Sequence, residues 1–497
     1  MKFPLDNNLH NFLQSPSLSK LSYSMRNSSH HRIGDIVIRL VDRIDNRKPL
    51  KFLEPFSLAL AKRLTNTIFP EREAAVPPTL FQLLQSSIRL GIRRANGERV
   101  DGGLPNTSRT PFIRMNIDQL AKVRNQDVLV LNVGGTSVKA VQFAVAGGRL
   151  TNEMPGGKPA SVDVTEVQRE GAKTPDQLAD LIWEKIKDKL PQGDKGAVKT
   201  LVAVIGVPGD NTELEDQQGI GMILTTESKK WQPVGEVGPA LLGKFRSEGY
   251  TNIEKIAVMN DTVAVAAYLD QEKPTAGMGI VLGGGFNIAL VYNGVIYNLE
   301  IGRASDYPED NLMKRMREMK YITTESASRI EYLISGGYQM KRHAAAMSIL
   351  ADQGCCSAKI VEQLSERAVD GSAEFLSDLA SGKTNRISLE KTLGVSIKRS
   401  EYALMKQMAL RTIEQAVDFA STTIAAVVAV VEQLPSALGD DQTLIPAIGS
   451  VIWNEDVAGN RKFYQMVQEK VKQITERTVN FVETTEYEGA AIAGISL

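Results

Sequence analysis

The chain has 497 residues with 58 Lys and Arg against 58 Asp and Glu and a pI near 6.9, so it is too long for one ordinary core and has no bulk attraction to nucleic acid. Its two cysteines, Cys355 and Cys356, are adjacent, and its four histidines show no Cys/His ligand spacing. That composition excludes a disulfide scaffold, argues against zinc, and fits a reducing, cytoplasmic setting.

Residues 1–30 are rich in Ser, Asn and His without periodicity, which predicts disorder. Residues 1–21 lack the apolar core of a secretory leader. From Ile33 to Arg94 apolar residues recur at helical spacing, as in Phe81, Leu84 and Ile88, predicting two to four helices. Gly102, Gly103 and Pro105 then mark residues 97–111 as a candidate linker. Residues 1–125 carry 20 basic and 10 acidic side chains, an asymmetry suited to a protein partner, to self-association, or to docking on the acidic remainder.

From Asp127 the pattern alternates short β-branched runs with amphipathic stretches. Strands are predicted at Val128–Val133, Val138–Ala144, Leu201–Val207, Ile256–Met259, Gly279–Leu282 and Ile288–Tyr292. Helices at Pro175–Leu190 and Val237–Phe245 separate some of them, so an α/β fold with partly parallel pairing is expected. Beyond Pro308 the chain reads as mainly helical. It has a long helix at Ser400–Leu434, a late strand at Leu444–Ile448, and helices at Asp456–Thr475 and Glu488–Ile495. The apolar run Ile424–Val431 is too short to span a bilayer and reads as buried helix.

Three motifs stand in order. Asn132-Val133-Gly134-Gly135-Thr136 follows a predicted strand, with Lys139 just beyond. Gly283-Gly284-Gly285-Phe286-Asn287 follows another. Glycines allow tight turns that bring amide N–H groups close to phosphate oxygens, although each motif alone is also what an ordinary turn looks like. Between them Asn260-Asp261-Thr262 follows the run Ile256–Met259. Alone this tripeptide is a good helix N-cap; between two phosphate cradles it offers a carboxylate able to accept a proton from an attacking hydroxyl.

Taken together these motifs resemble the hexokinase/glucokinase family of the actin-like ATPase superfamily. The family's Asp-x-Gly-Gly-Thr, Asn-Asp-Thr and Gly-Thr-Gly-x-Asn segments have counterparts here in the same order. Its sugar-contacting Asn-x-Glu-x-Gly is similar to Asn298-Leu299-Glu300-Ile301-Gly302. Its Glu-x-x-x-Ser-Gly-x-Tyr is similar to the run from Glu331 to Tyr338. Thr226 to Trp231 resembles the family's Thr-Trp-Thr-Lys-Gly-Phe, Ile448-Gly449-Ser450 its adenosine segment, and Gly489-Ala490-Ala491 its terminal helix. The resemblance covers residues 125–497.

It implies a two-domain actin-like ATPase (ribonuclease H-like) fold, with a cleft between a smaller domain at 126–261 and a larger one at 262–481. A helix at 482–497 packs back on the smaller; residues 1–125 lie outside the resemblance and read from their own pattern as a partly disordered, then helical N-terminal extension. It also implies transfer of the γ-phosphate of ATP, with Mg²⁺, to the 6-hydroxyl of a hexose such as glucose. Asp261 is the implied base. Asn260, Glu300, Glu331, Ser228, Lys229 and Asn287 are implied at the sugar. Asn132, Gly134, Gly135, Thr136, Lys139, Gly283, Gly284, Gly285, Gly449 and Ser450 are implied at the nucleotide. Mg²⁺ is expected through ATP and water near Asn132, without a direct protein ligand.

Three positions depart from the family pattern: Asn132 for an aspartate, Gly284 for a threonine, and Ile448 for an aspartate. All three lie in the nucleotide half. They motivate an alternative reading as a non-catalytic hexose-binding regulator or scaffold, and an amino-sugar kinase is a third.

Overall fold

The computed structural model describes residues 78–497 apart from 135–136, 192–193, 207–208, 225–234, 271–274, 305–308, 324–328, 371–372, 433–443 and 455–460. The expectations for residues 1–77 and for Gly135, Thr136, Ser228 and Lys229 lie outside the described residues.

After a first strand, β1 (Ser108–Ile113), nine strands build one sheet. These are β2 (Gln126–Val133), β3 (Ser137–Ala146), β4 (Arg149–Asn152), β5 (Ala160–Asp163), β6 (Val198–Ile205), β7 (Gly209–Glu213), β8 (Gly219–Leu224), β9 (Gly235–Glu236) and β10 (Lys255–Met259). Their order is β4-β3-β2-β6-β10-β8-β7, with β5 on β3 and β9 on β8. Then β11 (Met278–Leu282), β12 (Phe286–Tyr292), β13 (Val295–Asn298), β14 (Leu444–Ile448) and β15 (Asn480–Glu483) join β1 in the order β1-β13-β12-β11-β14-β15.

The two sheets repeat one plan. In β4-β3-β2-β6-β10 the first two pairings are antiparallel and the next two parallel, and β13-β12-β11-β14-β15 does the same. The two glycine hairpins, β2–β3 and β11–β12, therefore occupy equivalent places. The central parallel strands are apolar on both faces: Val128–Leu131, Leu201–Ile205 and Ile256–Met259 are all buried.

Three cores hold these layers. One lies on the helix side of the first sheet, where Trp183 meets Phe245 edge-on with ring centroids 5.3 Å apart. A second joins the sheets, uniting Val128, Val130, Val202, Val204 and Met259 with Ala289 and Ile296. The largest surrounds the helix Arg399–Glu432. This helix is the one among the described residues long and apolar enough to cross a bilayer by length and composition. The sequence reading considered only the run Ile424–Val431, but buried positions begin as early as Met405, Met408 and Ala409. Because 78% of its apolar window is buried against the rest of the protein, it is a core helix.

Residues 97–111 are not the expected linker. The helix Pro78–Ala95 buries Leu80, Leu84, Ile88 and Ile92 in the largest core, and β1 pairs with β13 at the sheet edge. Pro111 obscured this strand in the sequence, since proline cannot donate to a ladder; at an edge that loss is harmless. The described N-terminal segment thus contributes one helix face and Leu104 to the core.

Candidate active site

Neighbouring parallel strands β2, β6 and β10 deliver Asn132, Gly206 and Asp261 to their carboxyl ends, the edge of an α/β sheet where ligands bind. The β2–β3 ladder closes at Val133 opposite Val138, and Gly134 N donates to Ser137 O at 3.0 Å. Lys139 stands directly across from Asn132, so both side chains leave the same face.

Asn260 caps the helix Asp261–Ala267: Thr262 N donates to its Oδ1 at 2.9 Å and to Asp261 Oδ1 at 2.8 Å. The N-cap expected of this tripeptide and its site role coexist. Capping occupies Asn260 Oδ1, and its Nδ2 is the group left to donate elsewhere. The second oxygen of Asp261, Oδ2, lies 3.4 Å from where a Cβ on Gly206 would stand.

Burial raises the Asp261 carboxyl first, the Glu300 charge adds to it, and Glu486 adds less; against the bonds from Thr262 they hold its pKa up to about 6. The helix behind it is buried from Thr262 to Ala267 and wedged between two glycines. A Cβ on Gly489 would stand 1.9 Å from Ala264 O, and one on Gly279 2.4 Å from Ala266 N. Only glycine permits this approach.

Glu300 reaches the same place from the second sheet. Its carboxylate accepts from Asn298 Nδ2 at 2.8 Å and Asn287 Nδ2 at 3.3 Å, and Arg303 Nε stands 3.8 Å away. Burial raises its pKa, against the pull of Asn298 and Arg303. Its backbone is left-handed at φ 47°, ψ 40°, an uncommon conformation for a residue with a side chain.

Glu331 lies alongside: its Oε1 is 3.2 Å from a Cβ placed on Gly285, and its Cβ 3.4 Å from one on Gly302. The β11–β12 turn is tied down by Gly336 N donating to Gly283 O at 2.8 Å. Next to it runs Gly449 at φ 119°, where a Cβ would stand 2.2 Å from Leu282 O. Gly283, Gly449 and the exposed Ser450 are thereby brought together. A Cβ on Gly284 would meet nothing within 4 Å, so the position has room for the side chain it lacks.

Four contributors escaped sequence reasoning as site residues. Asn298 opens the Glu300 motif and Arg303 directly follows it. Gly206 falls inside the strand predicted at Leu201–Val207, whereas β6 ends at Ile205 and leaves it just beyond. Glu486 accepts a hydrogen bond from Asn132 Nδ2 across 354 positions and carries no local signal beyond standing three residues before Gly489.

The fold has known counterparts. A crystal structure of a hexokinase superposes with a TM-score of 0.67 at 16% identity, covering 88% of this chain and 99% of that one. The hexokinase from Schistosoma mansoni complexed with glucose gives 0.62 at 14% identity, covering 88% and 100%. This chain has the hexokinase fold. Its duplicated sheets are the two halves of that two-domain actin-like ATPase architecture. In sequence it is 26% identical over 207 residues to Hexokinase-1 of Homo sapiens, a stretch amounting to 41% of this chain and 21% of that protein. No family model matches. Within the hexokinase fold the two glycine hairpins, the Asp261 helix and the Glu300 turn follow the order in which the motifs were read.

Proposed function

We propose that this protein is a hexokinase-type sugar kinase that transfers the γ-phosphate of ATP to the 6-hydroxyl of a hexose such as glucose. The observation that carries the reading is the Asp261 carboxyl, partly buried at the end of β10 and held up to about 6 by burial and Glu300. A base with that value is ionised at neutral pH yet keeps enough proton affinity to draw a proton from an alcohol as it attacks phosphorus.

Asp261 is the base. Glu300, Glu331, Asn287 and Asn260, with Ser228 and Lys229, bind the sugar hydroxyls: carboxylates accept and amides donate, a set that discriminates hydroxyl patterns. Gly134, Gly135, Thr136, Lys139, Gly283, Gly284, Gly285, Gly449 and Ser450 line the nucleotide. We assign residues 126–261 with the Glu486–Ile495 helix to the smaller domain and 262–481 to the larger. Closure of the two around the sugar aligns hydroxyl and phosphate and keeps out water that would hydrolyse ATP.

Asn132 and Glu486 provide hard oxygen atoms at the first hairpin, and no group of three or more His, Cys, Asp or Glu gathers among the described residues. This donor set fits Mg²⁺ carried by the triphosphate rather than caged by protein. Bound there, Mg²⁺ neutralises charge developing on the phosphate oxygens.

A coupled assay with glucose, mannose and fructose against ATP and GTP tests the reading. Turnover is expected with at least one pair, and Asp261→Ala should lower kcat by about a thousandfold. Turnover that survives the substitution removes Asp261 from its role. If no pair gives product while glucose still raises Tm, the kinase reading falls in favour of a sugar-binding protein.

A further inference from the structure

The first hairpin carries an amide, Asn132, where the pattern it resembles carries a carboxylate, which leaves the phosphate end of the site one negative charge short. The fold brings a carboxylate to that spot from far along the chain. Asn132 Nδ2 donates to Glu486 Oε1, and Glu486 opens the helix Glu486–Ile495 that packs on β2 and β6.

Three observations say this pairing is more than helix docking. Thr485, the N-cap of this helix, makes no side-chain capping bond, and Glu486 Oε1 meets the Asn132 amide. The amide nitrogen of Asn132 faces a carboxylate, which fixes its orientation and turns Oδ1 towards the hairpin, 3.9 Å from where a Cβ on Gly134 would stand. Glu486 is also near enough to Asp261 for its charge to be felt there. Both Asn132 and Glu486 keep partial exposure.

We infer that Glu486 supplies the charge that Asn132 lacks, the two acting as one split acidic group that positions a divalent cation carried by a nucleoside triphosphate. Asn132 holds the carboxylate in place and contributes a neutral oxygen; Glu486 contributes the charge. Mg²⁺ takes one or two carboxylates beside phosphate oxygens and water, so a single well-placed carboxylate suffices. The inference rests on the kinase reading for the identity of the ligand.

The test measures binding, not turnover. Affinity for a non-hydrolysable ATP analogue is determined calorimetrically with and without Mn²⁺, and bound Mn²⁺ is followed by its paramagnetic resonance. In wild type, Mn²⁺ should tighten nucleotide binding. Glu486→Gln should shrink that gain about tenfold, in the range seen when metal-site partners are removed. Metal-free affinity should be equal or tighter, because a charge that repels phosphate has gone. Adding Asn132→Asp to Glu486→Gln should restore the gain.

A helix-docking role alone predicts a lower Tm and a gain unchanged in Glu486→Gln, and that result overturns the inference. So does failure of the double variant to restore the gain while its Tm matches wild type. If the single variant does not fold, the double variant decides. A wild-type protein that binds the metal–nucleotide in this way but phosphorylates no sugar leaves the inference standing and removes the kinase reading. If wild type shows no Mn²⁺-dependent nucleotide binding, both fall.

Discussion

Asp261 and Glu300 are two acids near enough to feel each other's charge, and both are pushed upward by burial. For catalysis the sign is direct. Asp261 is ionised only above about 6, so kcat/KM should fall about tenfold per pH unit below that value. Glu300→Gln removes the neighbouring charge and should shift this limb to lower pH even as sugar binding weakens. A limb that stays in place would show that Asp261 does not set it. For stability the sign is opposite. A raised folded-state pKa stabilises fully below the ordinary carboxylate range near 3.8, and that contribution is lost as pH rises through about 6. The protein thus gives up stability as the Asp261 carboxyl moves towards its ionised form.

At this scale the sequence was legible where chemistry is local. The capping by Asn260-Asp261-Thr262 could be recognised because it needs those side chains within one turn. Glu486 could not, because its meaning depends on where a helix 354 positions later docks.

Among the elements, the helix Gly336–Asp352 buries a pair of ionisable residues in the large core. Arg342 has no exposed side-chain surface; it donates to Asp310 at 3.1 Å and also to Gln415. His343 beside it is equally buried, and neither ring nitrogen has a hydrogen-bond partner among the described residues. Burial lowers its pKa to about 4 from the ordinary 6.5. The unfolded chain therefore takes up a proton first as pH falls. The contribution of neutral His343 is present above 6.5 and is lost between about 6.5 and 4. His343→Leu should flatten the fall of Tm over that window, sparing on the order of 3 kcal/mol at its acid end. An unchanged slope would mean other groups govern acid unfolding.

Elements with strong periodicity were read well: Arg399–Glu432 was expected at Ser400–Leu434, and β14 at its observed bounds. Those that were missed include β8, whose apolar residues are interrupted by Gly219 and Gly221, and several short or polar strands. Gly209–Glu213 has no apolar residue, and Arg149–Asn152 has only Leu150. Such strands owe their pairing to neighbours at the sheet edge, and local alternation does not reveal them.

For the molecule as a whole, the repeated strand plan of the two sheets had no counterpart in sequence periodicity. Its two copies differ in length and carry different insertions between equivalent strands. The order of the motifs was visible, but the equivalence of their hairpins needed the topology. At the N-terminal side the helix Pro78–Ala95 packs into the largest core, while β1 extends the second sheet and sends Phe112 into the core between the sheets. A chain beginning after Ile113 would uncover Leu299 and the β13 edge to which β1 and Thr107 bind. It should be insoluble or melt well below the full chain. Recovery of a monomer with the full chain's Tm would show that this segment is dispensable.

The Asn132–Glu486 bond has a bearing on how the molecule comes into being. Translation places the amide early, and the ribosome must add 354 further residues before its carboxylate counterpart exists. On the role inferred for Glu486, a nascent or prematurely terminated polypeptide that has completed both sheets still carries an unfinished centre.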